Sequence, residues 1–464
     1  MAIDIGNILA ESRGRNFSLF SEHIHPQWAK LLRTIGFNRT YVKAEGAYLF
    51  DDRGNKYLDF LAGWGTFNFG RNHPDIKRAL RQLLEADFPG WIAFDAPALA
   101  GVLAEKLISR MPGDLRKVYF CSSGTECAET AIKFARAATG RERIIHLKRA
   151  FHGLTTGALS INGDASFRAG FGALLPSSEV PLNDLEALER SLAQGDAAGF
   201  IFEPVQGKGI FIPEKGYLLE AQRLCRKYGA LFICDEVQTG MGRTGRFLGI
   251  EWEEGVAPDI VLLAKALSGG FVPVGAVIMR DSIYKSVFNT MGNGMIHSTT
   301  FGMGNMAMAA GLASLQVLDD YKLLENARRM GALFREGLEA MRPRFALIKE
   351  IRQRGLMVGI EFGKPDSIGL KSAWSMIHRL DKDLFTQAVV IPLFDDHRIL
   401  TQVAGHHLDV LKLSPPLTIS EQDVRWFLHA FERCMVNLHK FPGPVWELAR
   451  KLGKNAVTAV ALRK

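Results

Sequence analysis

The chain has 464 residues, 47% of them hydrophobic and 23% charged, enough for two or three domains with a sizeable core and unlike a disordered, collagen-like or coiled-coil protein. Apolar runs break well short of the roughly 18 residues that span a bilayer, and the opening MAIDIGNILAESRGRN lacks the pattern of a secretory leader, so a cytoplasmic protein is expected. The 57 basic and 49 acidic residues leave a net charge of +8, but Lys and Arg are scattered, which favours an ordinary solvated surface over a nucleic-acid footprint.

In chain order, YLFDDRGNKYLDF (48–60) predicts a hairpin turning at DDRGN. RKVYF (116–120), RIIHL (143–147), AGFIFEPV (198–205), ALFICDEV (230–237) and DIVLLAK (259–265) read as buried strands. Helical patterns separate them at ECAETAIKFARAAT (126–139) and YLLEAQRLCRKYG (217–229). This alternation predicts an α/β fold over residues 76–330, a mostly parallel sheet flanked by helices. Further on, helix ARRMGALFREGLEAM precedes strand-like ALIKEIRQ, LMVGIEF and VLKLSPPL. Residues 1–75 and 331–464 are therefore expected to form a smaller α+β domain built from both termini. Cys121, Cys127, Cys225, Cys234 and Cys434 have no CxxC spacing and read as reduced thiols.

Three segments put reactive residues at the carboxyl ends of predicted strands, where open parallel sheets bind ligands. Ser122-Ser123-Gly124-Thr125-Glu126 opens a helix after RKVYF; small residues and free helix amides there suit a phosphate, although Ser and Thr before a helix also serve as plain N-caps. Asp235 and Glu236 close ALFICDEV, as a strand-end cap or as carboxylates facing a cation. Lys265 closes DIVLLAK before a Gly-Gly loop, either as a snorkelling lysine or as a desolvated nucleophile. Gly240-Met241-Gly242-Arg243-Thr244-Gly245 fits GxGxxG, but Asp235 and Glu236 lie between strand and glycines and would repel a pyrophosphate, so it is not read as a dinucleotide site. His406-His407 has no spaced partners for a metal and reads as a surface loop, and no metal is expected. A phosphate cradle, a buried carboxylate and a strand-end lysine are together what pyridoxal 5′-phosphate requires.

On these residues the chain resembles the class III (ornithine and ω-amino acid type) aminotransferases of pyridoxal-phosphate fold type I, over nearly its whole length. DEVQTGMGRTGRFLGIEWEEGVAPDIVLLAKALSGG (235–270) is the most specific stretch, and SSGTE, FHG (151–153), HSTTFG (297–302) and SPPL fall in the family's order. The resemblance implies that Lys265 forms the Schiff base and moves the substrate proton, and that Asp235 faces the ring nitrogen. It implies further that Ser123, Gly124 and Thr125 hold the phosphate, that Phe151 stacks on the ring beside His152, and that Glu203 and Gln238 lie near the cofactor. Thr300 is implied to reach the phosphate of a neighbouring subunit, which makes the protein a homodimer or larger with shared active sites.

The pattern breaks at the substrate. Where ornithine-type members carry a tyrosine, an arginine before the C-terminal PPL motif and a glutamate after EPxQG, this chain has Trp64, Lys412 and Lys208. A lysine in place of an arginine fork is not conservative. With Trp91, these residues are expected to line a pocket for a terminal aldehyde or keto acceptor on a bulky or lipid-like body, with an amino acid as donor. The stretch from LKSAW to SPPL is also similar to members associated with hopanoid biosynthesis, which would give Trp446, Leu448, Ala449, Leu452 and the basic residues Arg450, Lys451 and Lys454 a membrane-surface role; a terminal helix packed on its own domain is the alternative. An ornithine or ω-amino acid aminotransferase, a mutase or decarboxylase on the same cofactor, and a non-catalytic cofactor-binding protein remain as other readings.

Overall fold

The Asp51 carboxylate closes the predicted hairpin by accepting the amides of Arg53 (3.0 Å) and Asn55 (2.8 Å). Strand β1 (Tyr41–Glu45) pairs antiparallel with β2 (Tyr48–Asp51), which pairs antiparallel with β3 (Lys56–Asp59). The computed structural model describes residues 3–380, 384–440 and 443, and the tail proposed from sequence for a membrane surface, Trp446 to Lys454, lies outside them.

Seven strands make the central sheet: β4 (Lys117–Cys121), β5 (Arg143–Leu147), β6 (Ser177–Val180), β7 (Ala197–Phe202), β8 (Leu231–Asp235), β9 (Ile260–Leu263) and β10 (Gly275–Met279). Their order is β4-β10-β9-β8-β7-β5-β6. All neighbouring pairs are parallel except those made by β10, which runs antiparallel to both β4 and β9. The sequence patterns for β6 and β10 passed unrecognised; the sheet is mostly parallel, as expected, with β10 the one strand running against the others. Every residue of β5, β7, β8, β9 and β10 is buried, as strands covered on both faces require. On one face Phe200, Phe202 and Phe232 pack together, with the Phe202 and Phe232 rings 4.4 Å apart. On the other, Ile201 and Ile233 meet Ala128, Ala131 and Phe134 of the helix Gly124–Thr139. Each buried Phe or Ile contributes about 1.5–3 kcal/mol.

The C-terminal strands are β11 (Ile348–Arg354), β12 (Met357–Phe362), β13 (Ile399–Leu400), β14 (Gln402–Val403) and β15 (Val410–Leu413). A four-stranded sheet runs β11-β12-β15-β14. The short β13 leaves it and pairs parallel with β3, Ile399 opposite Leu58, so one small sheet draws strands from both ends of the chain. Among the described residues no helix is long and apolar enough to cross a membrane.

Candidate active site

The helix Gly124–Thr139 begins where β4 ends. Ser123 caps it, its hydroxyl accepting the Glu126 amide at 3.3 Å, and Gly140 ends it in the left-handed region at φ 67°. Its first turn meets two other strand ends. A Cβ on Gly124 would lie 2.9 Å from Val237 and 3.6 Å from Ala264, the residues two after Asp235 and one before Lys265. A Cβ on Gly153 would lie 2.3 Å from the Thr125 hydroxyl. Three segments distant in sequence therefore converge on one helix N-terminus, and only glycine permits that closeness.

Asp235 ends β8 almost fully buried. One carboxylate oxygen accepts the Val237 amide at 2.9 Å, and the other lies 2.7 Å from Nδ1 of His152. Burial pulls the His152 pKa down, but the hydrogen bond and charge of Asp235, aided by Glu203, outweigh it and leave it raised. Glu203, after β7, accepts the amides of Phe151 (2.9 Å) and Gly207 (2.5 Å). Its carboxyl is pushed up by burial and by Asp235, against the pull of His152.

Lys265 follows β9 in an unusual left-handed conformation, φ 45°, which turns it out of the strand direction. Burial lowers its pKa, while Asp235 and Glu203 oppose that shift. The result is an amine more readily deprotonated than a surface lysine, with the charges of Asp235 and Glu203 acting on it, as suits a nucleophile.

Lys412, in the middle of β15, is 4% exposed. Its ammonium donates to the Gly207 carbonyl at 2.7 Å and to Oε1 of Gln238 at 3.0 Å. Gln238 in turn donates to the Trp64 carbonyl at 2.7 Å. Burial, Lys265 and Arg243 bring the Lys412 pKa down to about 7, with Glu203 opposing. The Trp64 loop is strained: Ala62, Gly63, Trp64 and Gly65 all have positive φ, 44° to 86°, and each non-glycine residue there costs about 1–3 kcal/mol.

Lys208 lies against the same wall. Its ammonium is 2.9 Å from an Asp164 oxygen, 4.1 Å from the Phe167 ring centroid and 5.5 Å from that of Phe151. Burial would raise the Asp164 pKa, but the Ser166 hydroxyl and Lys208 hold it at about 2. His406 stacks on Phe167 at 5.4 Å, so the loop read from sequence as plain surface borders the site. Asp164, Phe167 and His406 were missed; their segments carry no periodic signal, and Lys208 on its own gives no hint of which carboxylate it meets.

The structure thus gathers Ser123, Gly124, Thr125, Phe151, His152, Glu203, Asp235, Gln238, Lys265 and Lys412, with Lys208 and Trp64 at the edge. It does not bring in Trp91 or Thr300, both on exposed segments of the single chain. The GxGxxG match proves to be a structural stitch: Arg243, fully buried, donates to the Leu356 carbonyl (3.1 Å), the Pro415 carbonyl and Asn68 (2.5 Å).

Comparison with known proteins agrees with this arrangement. Residues 34–435 match the family model "Aminotransferase class-III". The chain is 35% identical to aminotransferase PigE of Serratia sp., over 94% of this chain and 55% of that protein's length. It superposes on ornithine aminotransferase of Toxoplasma gondii with a TM-score of 0.79 and 28% identity, covering 94% of this chain and 99% of that one. A transaminase from a marine Virgibacillus gives a TM-score of 0.77 and 26% identity, over 89% and 94% of the two chains.

The residues present fit pyridoxal phosphate. The free amides at the start of the helix Gly124–Thr139 suit its phosphate, and Asp235 suits its ring nitrogen. Nε2 of His152 is buried without a hydrogen-bond partner among the described residues, a polar ring nitrogen left for a bound group. Gly153→Ala should overpack this cradle by about 1–3 kcal/mol and weaken cofactor affinity roughly tenfold to a hundredfold, read by titrating the stripped protein with pyridoxal phosphate. With the family model spanning most of the sequence and its cofactor's requirements met residue by residue, the chain belongs to the class III aminotransferases, which work with pyridoxal phosphate.

Proposed function

We propose that the protein transfers an amino group from an amino-acid donor to a terminal aldehyde or keto acceptor with a bulky apolar or lipid-like body, a hopanoid side chain being one example of that class. The observation that supports the substrate reading is the engagement of Lys412: two of its ammonium protons go to the Gly207 carbonyl and Oε1 of Gln238, so β15 offers no arginine-like fork for a second carboxylate, and the neighbouring wall is the Trp64 loop. Lys208, ion-paired with Asp164 beside Phe151, is the cation that a donor carboxylate would share with Asp164.

Pyridoxal phosphate, when bound, supplies an aldehyde and an electron-withdrawing ring. Lys265 would hold that aldehyde, and its Nζ is the group that would carry the proton leaving the substrate α-carbon. Asp235 would face the ring nitrogen, and His152 orients Asp235 through its hydrogen bond. The Ser123–Thr125 turn anchors the phosphate, and Gln238, fixed at both ends of its amide, presents an immobile edge to the site.

The test screens the cofactor-loaded protein with glutamate, alanine and diamines against decanal and cyclohexanecarbaldehyde. Amine formed in proportion to keto acid supports the reading; transamination of ornithine or diamines with no turnover of either aldehyde overturns it. Lys208→Ala should raise KM for glutamate about tenfold, the loss of one charge-assisted contact, while leaving KM for decanal near wild type.

We also infer a cytoplasmic homodimer. Phe94, Met291, Ile296 and Phe301 stand well exposed on the segments that carry Trp91 and Thr300, large apolar side chains that a partner subunit would cover. The reading of residues 1–75 and 331–464 as one unit is supported by the pairing of β3 with β13 and by the hydrogen bond from Tyr48 to Asp423 (2.5 Å). Sedimentation equilibrium measures the assembly directly.

A further inference from the structure

We propose that Lys412 is a positioning residue that acts through Gln238 to latch the strained Trp64 loop in place as one wall of the acceptor pocket. The inference rests on the transaminase reading above and adds to it a residue that works without touching substrate.

Three observations carry it. The first is the continuity of the hydrogen-bond chain. Lys412 Nζ donates to Oε1 of Gln238, which fixes the orientation of that amide, and the opposite end, Nε2, donates to the Trp64 carbonyl. The chain links β15 to the N-terminal segment through a side chain that follows β8. The second is the absence of slack. Gly207, whose carbonyl takes the other Lys412 proton, would place a Cβ only 2.4 Å from Oε1 of Gln238, and Gly65 would place one 3.6 Å from Cγ of Gln238. The amide is boxed on both sides and cannot turn over while Lys412 donates to it. The third is the loop itself. Four successive residues, two of them not glycine, hold positive φ. Such a conformation persists only where the surroundings over-determine it. The Ala62 amide is anchored on the Asp59 carboxylate at 2.8 Å, and the bonds from the Trp64 amide to the Leu61 carbonyl (3.0 Å) and from the Thr66 amide to the Gly63 carbonyl (3.2 Å) are local to the loop; the Trp64 carbonyl is held from outside the loop by Gln238.

Arg243 reinforces the arrangement from behind. Its guanidinium ties Asn68, just past the loop, to the Pro415 and Leu356 carbonyls, leaving residues 62–67 as the short span whose shape the latch decides. Trp64 is 54% exposed, so the latch fixes the backbone from which its indole projects.

The experiment uses cofactor-loaded wild type, Lys412→Met, Ala62→Gly and the double variant, with steady-state kinetics for decanal and for glutamate. Lys412→Met should keep the visible band of the attached cofactor and raise KM for decanal about tenfold, with kcat and the glutamate half-reaction within about threefold. Ala62→Gly removes a side chain from a left-handed position, so the loop keeps its shape without the latch; alone it should leave KM within about twofold, and in the double variant it should recover most of the lost affinity. An unchanged KM in Lys412→Met overturns the proposal. So does a raised KM that Ala62→Gly does not rescue, because Lys412 would then act directly on substrate, and so does loss of the cofactor band. If wild type transaminates neither aldehyde, the functional reading fails instead, and the glutamate half-reaction separates the two failures.

Discussion

Lys265→Ala should abolish transamination, lowering turnover by about three orders of magnitude or more, since the residue both attaches the cofactor and moves the substrate proton, and general acid–base work alone is worth about 10²–10⁴-fold. The protein should fold normally: Lys265 forms no wall of the hydrophobic core, and its left-handed φ of 45° is relieved of a long charged side chain that burial disfavours. The variant should retain reversibly bound pyridoxal phosphate through the helix N-terminus yet show no attachment resistant to dialysis. Absorbance after borohydride treatment decides between the outcomes. A variant still covalently labelled would place the attachment elsewhere and remove the basis of the proposed chemistry.

Asp235→Asn should have the second-largest effect, a loss of about 10²–10⁴-fold in kcat, because a neutral amide cannot hold a proton on the ring nitrogen. It also breaks a buried pair, and removing one partner of such a pair costs about 3–5 kcal/mol. The pH dependence gives an independent signature. The His152 pKa is raised in the folded protein, so the stability it contributes is fully present below the unfolded histidine value and is lost as pH rises through the folded one. In Asp235→Asn the main cause of that rise is gone and burial dominates, so the fall in urea midpoint from acid to alkaline pH should shrink relative to wild type. An identical pH slope in the two proteins would show that His152 does not titrate against Asp235.

Much of this site could be read in advance, and the reason is positional. Asp235 and Lys265 each end an apolar run, and a strand buried on both faces announces itself by that run. Ser123-Gly124-Thr125 opens a helix, a place that composition also marks. The antiparallel β10 escaped because GAVIM is five apolar residues with no alternation, and direction within a sheet is decided by which neighbours remain to be paired. Asp164 escaped for another reason: it lies 44 residues from Lys208 in sequence, and nothing local to either residue encodes their meeting. Lys412 was expected to face substrate because its position invited comparison with an arginine. In the structure its ammonium also donates to Gly207 and Gln238, partners that its sequence position does not reveal. Trp91 and Thr300 were assigned places that one chain does not form.

The pairing of β13 with β3 bears on how the protein is made. A ribosome that has just produced Asp59 must add about 340 more residues before Ile399 and Leu400 emerge, which at about 5–20 residues per second takes roughly 20–70 s. During that interval β3 has an open edge while the seven-stranded sheet, whose strands all lie between Lys117 and Met279, can form behind it. The edge is short and carries Lys56 and Asp59 at its ends, features that discourage a second nascent chain from pairing there. Closure of the small sheet is thus the late event of synthesis, and the Trp64 loop, which follows β3 directly, waits on it.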